Sequence, residues 1–406
     1  MNFVSVPLSE IAEINPLHKE AIDPDREVSF LGMADVSELG TTTLGEIRSY
    51  GKVRTGYTPF RAGDLLVAKI TPCFQNGKIA QAQIEREIGA GSTEFHVIRV
   101  GKEVDARYLL RFLRQDWIRA EGELRMTGSG GQRRVPEAYL RNLMIPLPPI
   151  EEQKRIATVL DQMDALRAER RKAIALLDDL TQSIFLDMFG TPENTRWPIG
   201  SFGEHVEEFR YGTSNKSTPN GNIALRIPNV IGGALDTSEL KRVPVASDEL
   251  SRLRLRAGDL LFVRSNGNPD YVGRCAVFAP EVFGQSDRGD IIYASYLIRA
   301  RVSRASMNST YVRAFMSSAA GRAALRRNAK TSAGQYNLNI QGLASMEIPV
   351  PPKAEQERFA AVVTQVEAAK EAHRAHRATL DELFTSLQHR AFSGTLWDHE
   401  ATGDEA

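Results

Sequence analysis

The chain has 406 residues, 42% of them hydrophobic and 25% charged, and its 51 lysines and arginines balance 51 aspartates and glutamates. This is the composition of a folded chain long enough for two or three ordinary domains, not of a disordered one. No run of about 18 apolar residues could span a bilayer, the start MNFVSVPLSE lacks the pattern of a secretory leader, Cys73 and Cys275 are too few for a disulfide scaffold or a cysteine-rich zinc site, and zero net charge counts at first sight against nucleic acid.

In chain order, short β-rich runs come first: Phe30-Leu31-Gly32, Asp64-Leu65-Leu66-Val67 and Phe95-His96-Val97-Ile98. One helical stretch is predicted over residues 108–120. Pro146-Leu147-Pro148-Pro149 then stops the chain, and no Gly or Pro occurs again until after Phe189. Inside that run Ile156, Leu160, Met163, Arg167, Arg170, Ile174, Leu177, Thr181, Ile184 and Met188 alternate by four and three. That is coiled-coil spacing with a basic interruption, and such interruptions tend to fix register and partner. A helix of about 40 residues spans roughly 60 Å.

The pattern is then written again. RAGDLLVAK at Arg61 returns as RAGDLLFVR at Arg256, and IPLPPIEEQKRI at Ile145 returns as IPVPPKAEQERF at Ile348. Between them Gly131-Gln132, Leu140, Tyr108 and Phe112 reappear as Gly334-Gln335, Leu343, Tyr311 and Phe315. The offset is 195 at the first block, 196 where Gly77-Lys78-Ile79-Ala80 returns as Gly273-Arg274-Cys275-Ala276, and 203 at the second block, so the second copy carries seven or eight extra residues between them. A second helical stretch is predicted over residues 311–326, and the second long row reads Phe359, Val363, Val366, Lys370, His373, Arg377, Leu380, Phe384, Leu387 and Ala391. An ordered series of matches is duplication. The fold expected is α+β: two similar α/β domains separated by two long helices pairing as an antiparallel coiled coil, an internal repeat with pseudo-twofold symmetry. Two similar domains held apart by long helices suit a long target with two separated features, and duplex DNA, whose half-sites recur about 34 Å apart, is such a target.

Charge resolved along the chain supports this. Residues 250–335 hold 13 arginines and Lys330 against five acids, an excess of nine cations inside a neutral chain. Residues 151–187 carry six basic and eight acidic residues, and the C-terminal end adds Asp398, Glu400, Asp404 and Glu405. A locally basic domain is the footprint of phosphate contact; an arginine-rich surface that merely aids solubility is the plainer reading.

Base edges are read by Arg, Asn and Gln, and phosphates by Lys, Arg and Ser. Two stretches in each copy carry them. After RAGDLL come Lys69, Thr71, Gln75, Asn76 and Lys78 in the first copy, and Arg264, Ser265, Asn266, Asn268 and Arg274 in the second. Lys78 and Arg274 occupy matched positions. A polar loop of turn-forming Asn, Gly and Pro would look the same. The second stretch is Thr127-Gly128-Ser129-Gly130-Gly131-Gln132-Arg133-Arg134, matched by Thr331-Ser332-Ala333-Gly334-Gln335-Tyr336-Asn337. Here Arg133, Arg134, Tyr336 and Asn337 are the candidates, while the glycines and the shared Gly-Gln pair read equally as a turn and as architecture.

The repeated P-L-P-P-x-x-E-Q-x-x-I box, seen as PLPPIEEQKRI and PVPPKAEQERF, together with RAGDLL in each half, resembles the specificity subunit of type I restriction–modification enzymes, from about Val6 to Gly394. The second copy departs from the pattern at Lys353 and Phe359, where an apolar residue and Ile are usual. The resemblance implies target recognition domains over residues 1–147 and 191–350, conserved spacer helices over 148–190 and 351–394, and an acidic tail over 395–406. Each recognition domain is expected to read one half of a bipartite, asymmetric sequence in double-stranded DNA. The helices are expected to set the gap and to dock two methyltransferase subunits through Gln153, Ile156, Leu160, Met163, Gln356, Phe359, Val363 and Val366. Two restriction/translocase subunits would complete a cutting assembly. The subunit itself is expected to catalyse nothing and to bind no cofactor; S-adenosylmethionine, ATP and Mg belong to its partners. The expected location is the cytoplasm of a prokaryote.

Other chemistries lack their residues. No G-x-x-x-x-G-K-[ST] loop or strand-borne G-x-G-x-x-G occurs, nor an Asn/Asp-Pro-Pro-aromatic box of the kind seen in amino-methyltransferases. His373 and His376 lie three apart on a helix without a carboxylate or cysteine constellation, so no metal site is expected. Asp178-Asp179 and Asp381-Glu382 read as helix-surface charges, Cys73 and Cys275 as packed thiols, and Trp117 and Trp197 as core or domain-edge aromatics. The competing readings are a non-catalytic coiled-coil adaptor whose domains bind protein, and a nuclease carrying its own recognition domains; the basic stretch weighs against the first and the missing motifs against the second.

Overall fold

A computed structural model of the chain describes residues 3–17, 21–129, 131–191, 194–284, 289–332 and 334–397. It forms two compact units, Met1–Glu169 with His376–Ala406, and Arg170–Ala375. Among the described residues no helix is long and apolar enough to cross a membrane.

In the first unit, Ala12–Ile14, Phe95–Val100, Leu65–Ala68 and Ile79–Gln81 form an antiparallel sheet in that order. In the second, Val206–Tyr211, Leu297–Val302, Leu260–Val263 and Cys275–Val277 form the same sheet in the same order. Each has a companion sheet that contains one parallel pair, Glu27–Leu31 beside Ile88–Gly91 at the centre of four strands, and Asn222–Leu225 beside Ile292–Tyr293 in a sheet of three. The duplication read from the motifs is therefore a duplication of topology.

The strand after RAGD is apolar at every position because both of its faces are covered, and period-two alternation divides its side chains between two cores. Leu65 and Val67 join Ile98, Tyr108 and Phe112, whereas Leu66 joins Phe60, Phe95 and Val97. Leu260 and Phe262 join Ile298 and Tyr311, whereas Leu261 and Val263 join Leu297 and Phe278. The RAGD turn is a motif of structure. Gly63 and Gly258 take φ of 86° and 91°, conformations that favour glycine. The following acid closes the turn on the backbone N–H of Arg61 or Arg256 at 2.7 and 2.8 Å. It also makes a two-point ion pair across the sheet, Asp64 with Arg99 at 2.7 and 3.0 Å and Asp259 with Arg301 at 2.7 and 2.8 Å.

Each stretch expected as one helix is two: Ala106–Leu113 then Asp116–Leu124, and Ser309–Ser317 then Ala319–Asn328. Ser318 explains the second break, since its hydroxyl caps the new helix by accepting from the Gly321 N–H. Asp105 and Asn308 cap the first helix of each pair.

The long helices are Ile150–Phe189 and Lys353–Ser393, and each contributes to both units. In the first unit Glu152 and Arg155 meet Trp397, while Arg167 meets Asp381 at 2.5 Å and stacks on Phe384. In the second, Phe185 and Phe189 pack on Phe359, and Lys370 pairs with Asp178 at 2.6 Å. Within each unit the paired segments therefore run in opposite directions. The basic middle of the two rows proves to be a set of cross-helix polar contacts, in which Arg170 also faces His373 at 3.4 Å. Asp178 and Asp381, expected as plain surface charges, are partners in it. Trp117 stands half-exposed at the edge of Phe112.

Candidate nucleic-acid interface

The two candidate stretches of each copy, far apart in sequence, meet in space. In the first unit the strand Leu65–Ala68 delivers Lys69, whose carbonyl accepts from the Val135 N–H at 2.9 Å. The Arg133 carbonyl accepts from both the N–H and the hydroxyl of Thr71, at 2.9 and 3.1 Å, and Arg134 pairs with Thr127 through 2.8 and 3.0 Å backbone bonds. In the second unit the Arg264 carbonyl accepts from Leu338 N–H at 2.8 Å, Ser265 and Asn266 pair with Asn337 and Tyr336, and Lys330–Ser332 extends the ladder. The same backbone frame thus carries Lys, Thr and two arginines in one unit and Arg, Ser, Asn and Tyr in the other. Gly130, Ala333 and the acidic residues Asp398, Glu400, Asp404 and Glu405 lie outside the described residues.

The side chains differ in what they are free to do. In the first unit Lys78 donates to the Met33 carbonyl at 3.0 Å and Gln75 to Glu123 at 3.3 Å, so both are turned inward. Arg134 lies in a two-point pair with Glu94, and that guanidinium holds the Glu94 carboxyl below its usual range. Asn76 is exposed and bonded to Glu38 at 2.9 Å, and Arg133 is loosely held by Glu123 at 3.7 Å. Arg114, which the motifs did not single out, fastens the loop from below by donating to the carbonyls of Gly77, Ile79 and Glu38. Burial lowers its pKa to about 10, still well above neutrality.

In the second unit Arg264 lies over the Tyr211 ring at 4.6 Å and donates to the Ser295 carbonyl. Asn266 and Asn268 accept the N–H of Asn268 and Asp270, each at 2.9 Å. They build the loop with those oxygens and keep their amide NH2 groups, so the turn-forming reading holds for part of each side chain. Tyr336 packs half-buried on the second core, Asn337 reaches the Gln335 carbonyl at 3.5 Å, and Arg274 stands exposed over Tyr271. Beside this ladder lies a cavity of about 410 Å³ lined by Thr213, Ser214, Asn215, Arg226 and Tyr296. Tyr296 is 61% exposed, and its carbonyl accepts from Arg264 N–H at 2.9 Å. These residues were not singled out because nothing marks them in the repeat; an exposed aromatic beside two amide or guanidinium groups becomes visible only when strand order places them together.

The docking row needs a correction. Gln153, Ile156, Leu160, Met163, Gln356, Phe359, Val363 and Val366 are all buried within the chain. Ile156 and Leu160 complete one core and Phe359 and Val363 the other, so these side chains have no surface to offer another subunit. The glutamine of the repeated box is a staple. Gln153 donates to the carbonyls of Glu103 and Pro148 at 2.9 and 2.8 Å and accepts from Asp105 N–H at 2.9 Å. Gln356 repeats this with Ser306, Pro351 and Asn308 at 3.0, 2.8 and 2.8 Å. The opposite helix face, with Glu151, Lys154, Arg155 and Thr158, is the exposed one.

Residues 2–176 match the family described as the type I restriction modification DNA specificity domain. The type I restriction enzyme EcoEI specificity subunit of Escherichia coli is 40% identical over 161 residues, 39% of this chain and 27% of that protein. The EcoKI specificity subunit of Escherichia coli (strain K12) is 27% identical over 341 residues, 79% of this chain and 72% of that one. A solved structure titled as the structural basis of complex assembly and conformational transition of the type I R-M system shares the fold, with a TM-score of 0.58 and 19% identity over 97% of this chain and 98% of that one. The match thus spans about a quarter of the length of the first of these relatives. The family match falls on residues 2–176, and the resemblance to type I specificity subunits drawn from the paired boxes is borne out.

Proposed function

We propose that the chain is the sequence-specific DNA-recognition subunit of a type I restriction–modification complex. Each unit reads one half of a bipartite, asymmetric target in double-stranded DNA, through the ladder that joins residues 69–78 to 127–134 in one and 264–274 to 331–337 in the other. The observation that carries this is one backbone frame presenting different donors and acceptors: Lys69, Thr71 and Arg133 in one unit, Arg264, Ser265 and Asn337 in the other. The relatives named above are specificity subunits of type I restriction enzymes, which supports the same reading over the adaptor alternative.

On this proposal the long helices pair as an antiparallel coiled coil along their whole length, relate the two recognition domains by a pseudo-twofold axis and set the spacer. Two methyltransferase subunits dock on exposed helix faces, with restriction subunits joining for cleavage. The chain catalyses nothing, and S-adenosylmethionine, ATP and Mg are bound by its partners. The assembly works in the prokaryotic cytoplasm.

The test is assembly with methyltransferase subunits followed by mapping of methylated adenines. A two-part consensus is expected, and replacing residues 264–274 with those of another subunit should change one half of it. Methylation without a two-part consensus, failure to assemble, or a change in both halves would refute the reading.

A further inference from the structure

One feature of the second unit is not explained by reading base edges. A cavity of about 360 Å³ opens beside the 264–274 loop, bounded by Gly232-Gly233 on one side and by the helix Ala319–Asn328 on the other. Three guanidiniums converge on it, from Arg274, Arg322 and Arg326, against one carboxylate, Asp270. Arg322 donates from one nitrogen to the carbonyls of Asp270 and Val272, both at 3.0 Å, and its other terminal nitrogen is buried without an acceptor. Arg274 donates to the carbonyls of Asp270 at 2.9 Å and Ile231 at 3.3 Å, and Arg326 pairs with the Asp270 carboxylate.

Burial, together with the neighbouring charges of Arg274 and Arg326, pulls the Arg322 pKa below its ordinary value. Three like charges gathered at a partly desolvated wall are unfavourable unless an anion joins them. The glycine rim leaves that space open, since a Cβ at Gly232 or Gly233 would meet nothing within 4 Å. Cys275 in the same wall is buried with its thiol pushed up to about 12, and so adds no negative charge.

The first unit lacks this arrangement. By the offsets of the repeat its equivalents of Arg274, Arg322 and Arg326 are Lys78, Arg119 and Glu123. Lys78 is bonded to Met33, Arg119 to Asp116, and the third position carries an acid that faces Gln75 and Arg133.

We infer that Arg274, Arg322 and Arg326 form a seat for one phosphodiester oxyanion of the DNA backbone, present in the second unit and absent from the first. The inference rests on the DNA-reading function proposed above, and it takes Arg274 out of the reading residues of its loop, assigning all three arginines to holding the strand and not to choosing the base. Guanidinium forks suit a phosphate's paired oxygens, and a phosphate contact positions without carrying sequence. The seat also gives the basic excess of residues 250–335 a local purpose.

The experiment uses the full chain in two arms. In the first, duplex binding is measured against salt for the wild type, Arg326→Glu, which installs the first unit's residue, and Arg322→Gln, which removes the buried guanidinium of the seat. Releasing one phosphate from the protein should reduce the slope of log affinity against log salt by about 0.9, so a variant's deficit at 50 mM salt should shrink roughly threefold by 200 mM. The preference for cognate over random duplex should stay unchanged. In the second arm, inorganic phosphate should raise the thermal midpoint of the wild type more than that of either variant.

If the chain binds duplex but the variants keep the wild-type slope and phosphate response, the seat is refuted and the DNA-reading function stands. A variant that changes base preference makes the residue a reader and overturns the seat as stated. If phosphate binds in an arginine-dependent way but no duplex does, the seat as a DNA contact falls together with the proposed function.

Discussion

Replacing Gln153 by Ala removes a side chain that is fully buried and makes three hydrogen bonds. It leaves the carbonyls of Glu103 and Pro148 and the N–H of Asp105 without a partner. A buried orphan costs about 1–3 kcal/mol each. Glu103 is exposed and Asp105 half-exposed, so water regains part of that, and a loss of about 3 kcal/mol is reasonable for the set. Because the chain has two compact units, one overall unfolding energy is a poor readout. Hydrogen exchange resolved along the chain is better. The amides of Asp105, Arg107 and Tyr108, which depend on the staple directly or through the Asp105 cap, should exchange faster by on the order of 100-fold. The amides of Asn308, Thr310 and Tyr311 should keep their wild-type rates. Gln356→Ala should give the mirror result. Acceleration below about threefold, or equal acceleration at both sites, would refute the staple as the structural role of the repeated glutamine.

Two further outcomes follow from buried polar groups. The buried His96 donates from Nε2 to the Val135 carbonyl at 2.9 Å and receives the Asn15 amide on Nδ1 at 3.2 Å, which suits the neutral ring, and burial holds its pKa below the usual value. The unfolded chain therefore takes up this proton first as pH falls: the group contributes no pH dependence above about pH 7.5, and stability declines from there down to the folded-state pKa. His96→Gln should flatten thermal midpoints measured between pH 7.5 and 5, and a wild type already flat there would refute the assignment. Lys370 is 6% exposed and paired with Asp178 and Glu367, whereas Asp178 is 60% exposed. Lys370→Met should therefore accelerate hydrogen exchange of the amides around Lys370 by no more than about fivefold, because the released carboxylates reach water. Asp178→Lys, which sets like charges against each other, should accelerate it more; the opposite ranking would show that the ion pair itself stabilises the unit.

The repeat was legible because its markers are local and ordered: RAGDLL and the Pro-Pro-x-x-Glu-Gln box recur at offsets that composition cannot produce. Their meaning was not. Asp64 acts through Arg99, 35 residues away, and Gln153 through Glu103, 50 away, so neither motif shows its partner in a linear reading. The candidate stretches were found by residue type, but their meeting depends on register, as in the pairing of Ile70 with Arg134. The docking row failed for a related reason. A heptad stripe reports that a face is buried, not against what, and here it is buried in the chain's own cores. Apolar periodicity also could not show the helix break at Ser318, where capping chemistry overrides a continuous pattern.

Strand Leu260–Val263 begins at Asp259, locked to Arg301, and ends at Arg264, where the candidate readers start; Leu65–Ala68 does the same between Asp64 and Lys69. In each unit the contacts that hold the fold and the candidate reading side chains sit at opposite ends of one short strand, with apolar packing between them. Substitutions at the outer end leave the turn, the ion pair and the glutamine staple untouched. Such a scaffold tolerates drift at one end and resists it where folding is at stake; on the function proposed above, each half would acquire a new preference without the other half, or the frame, having to change.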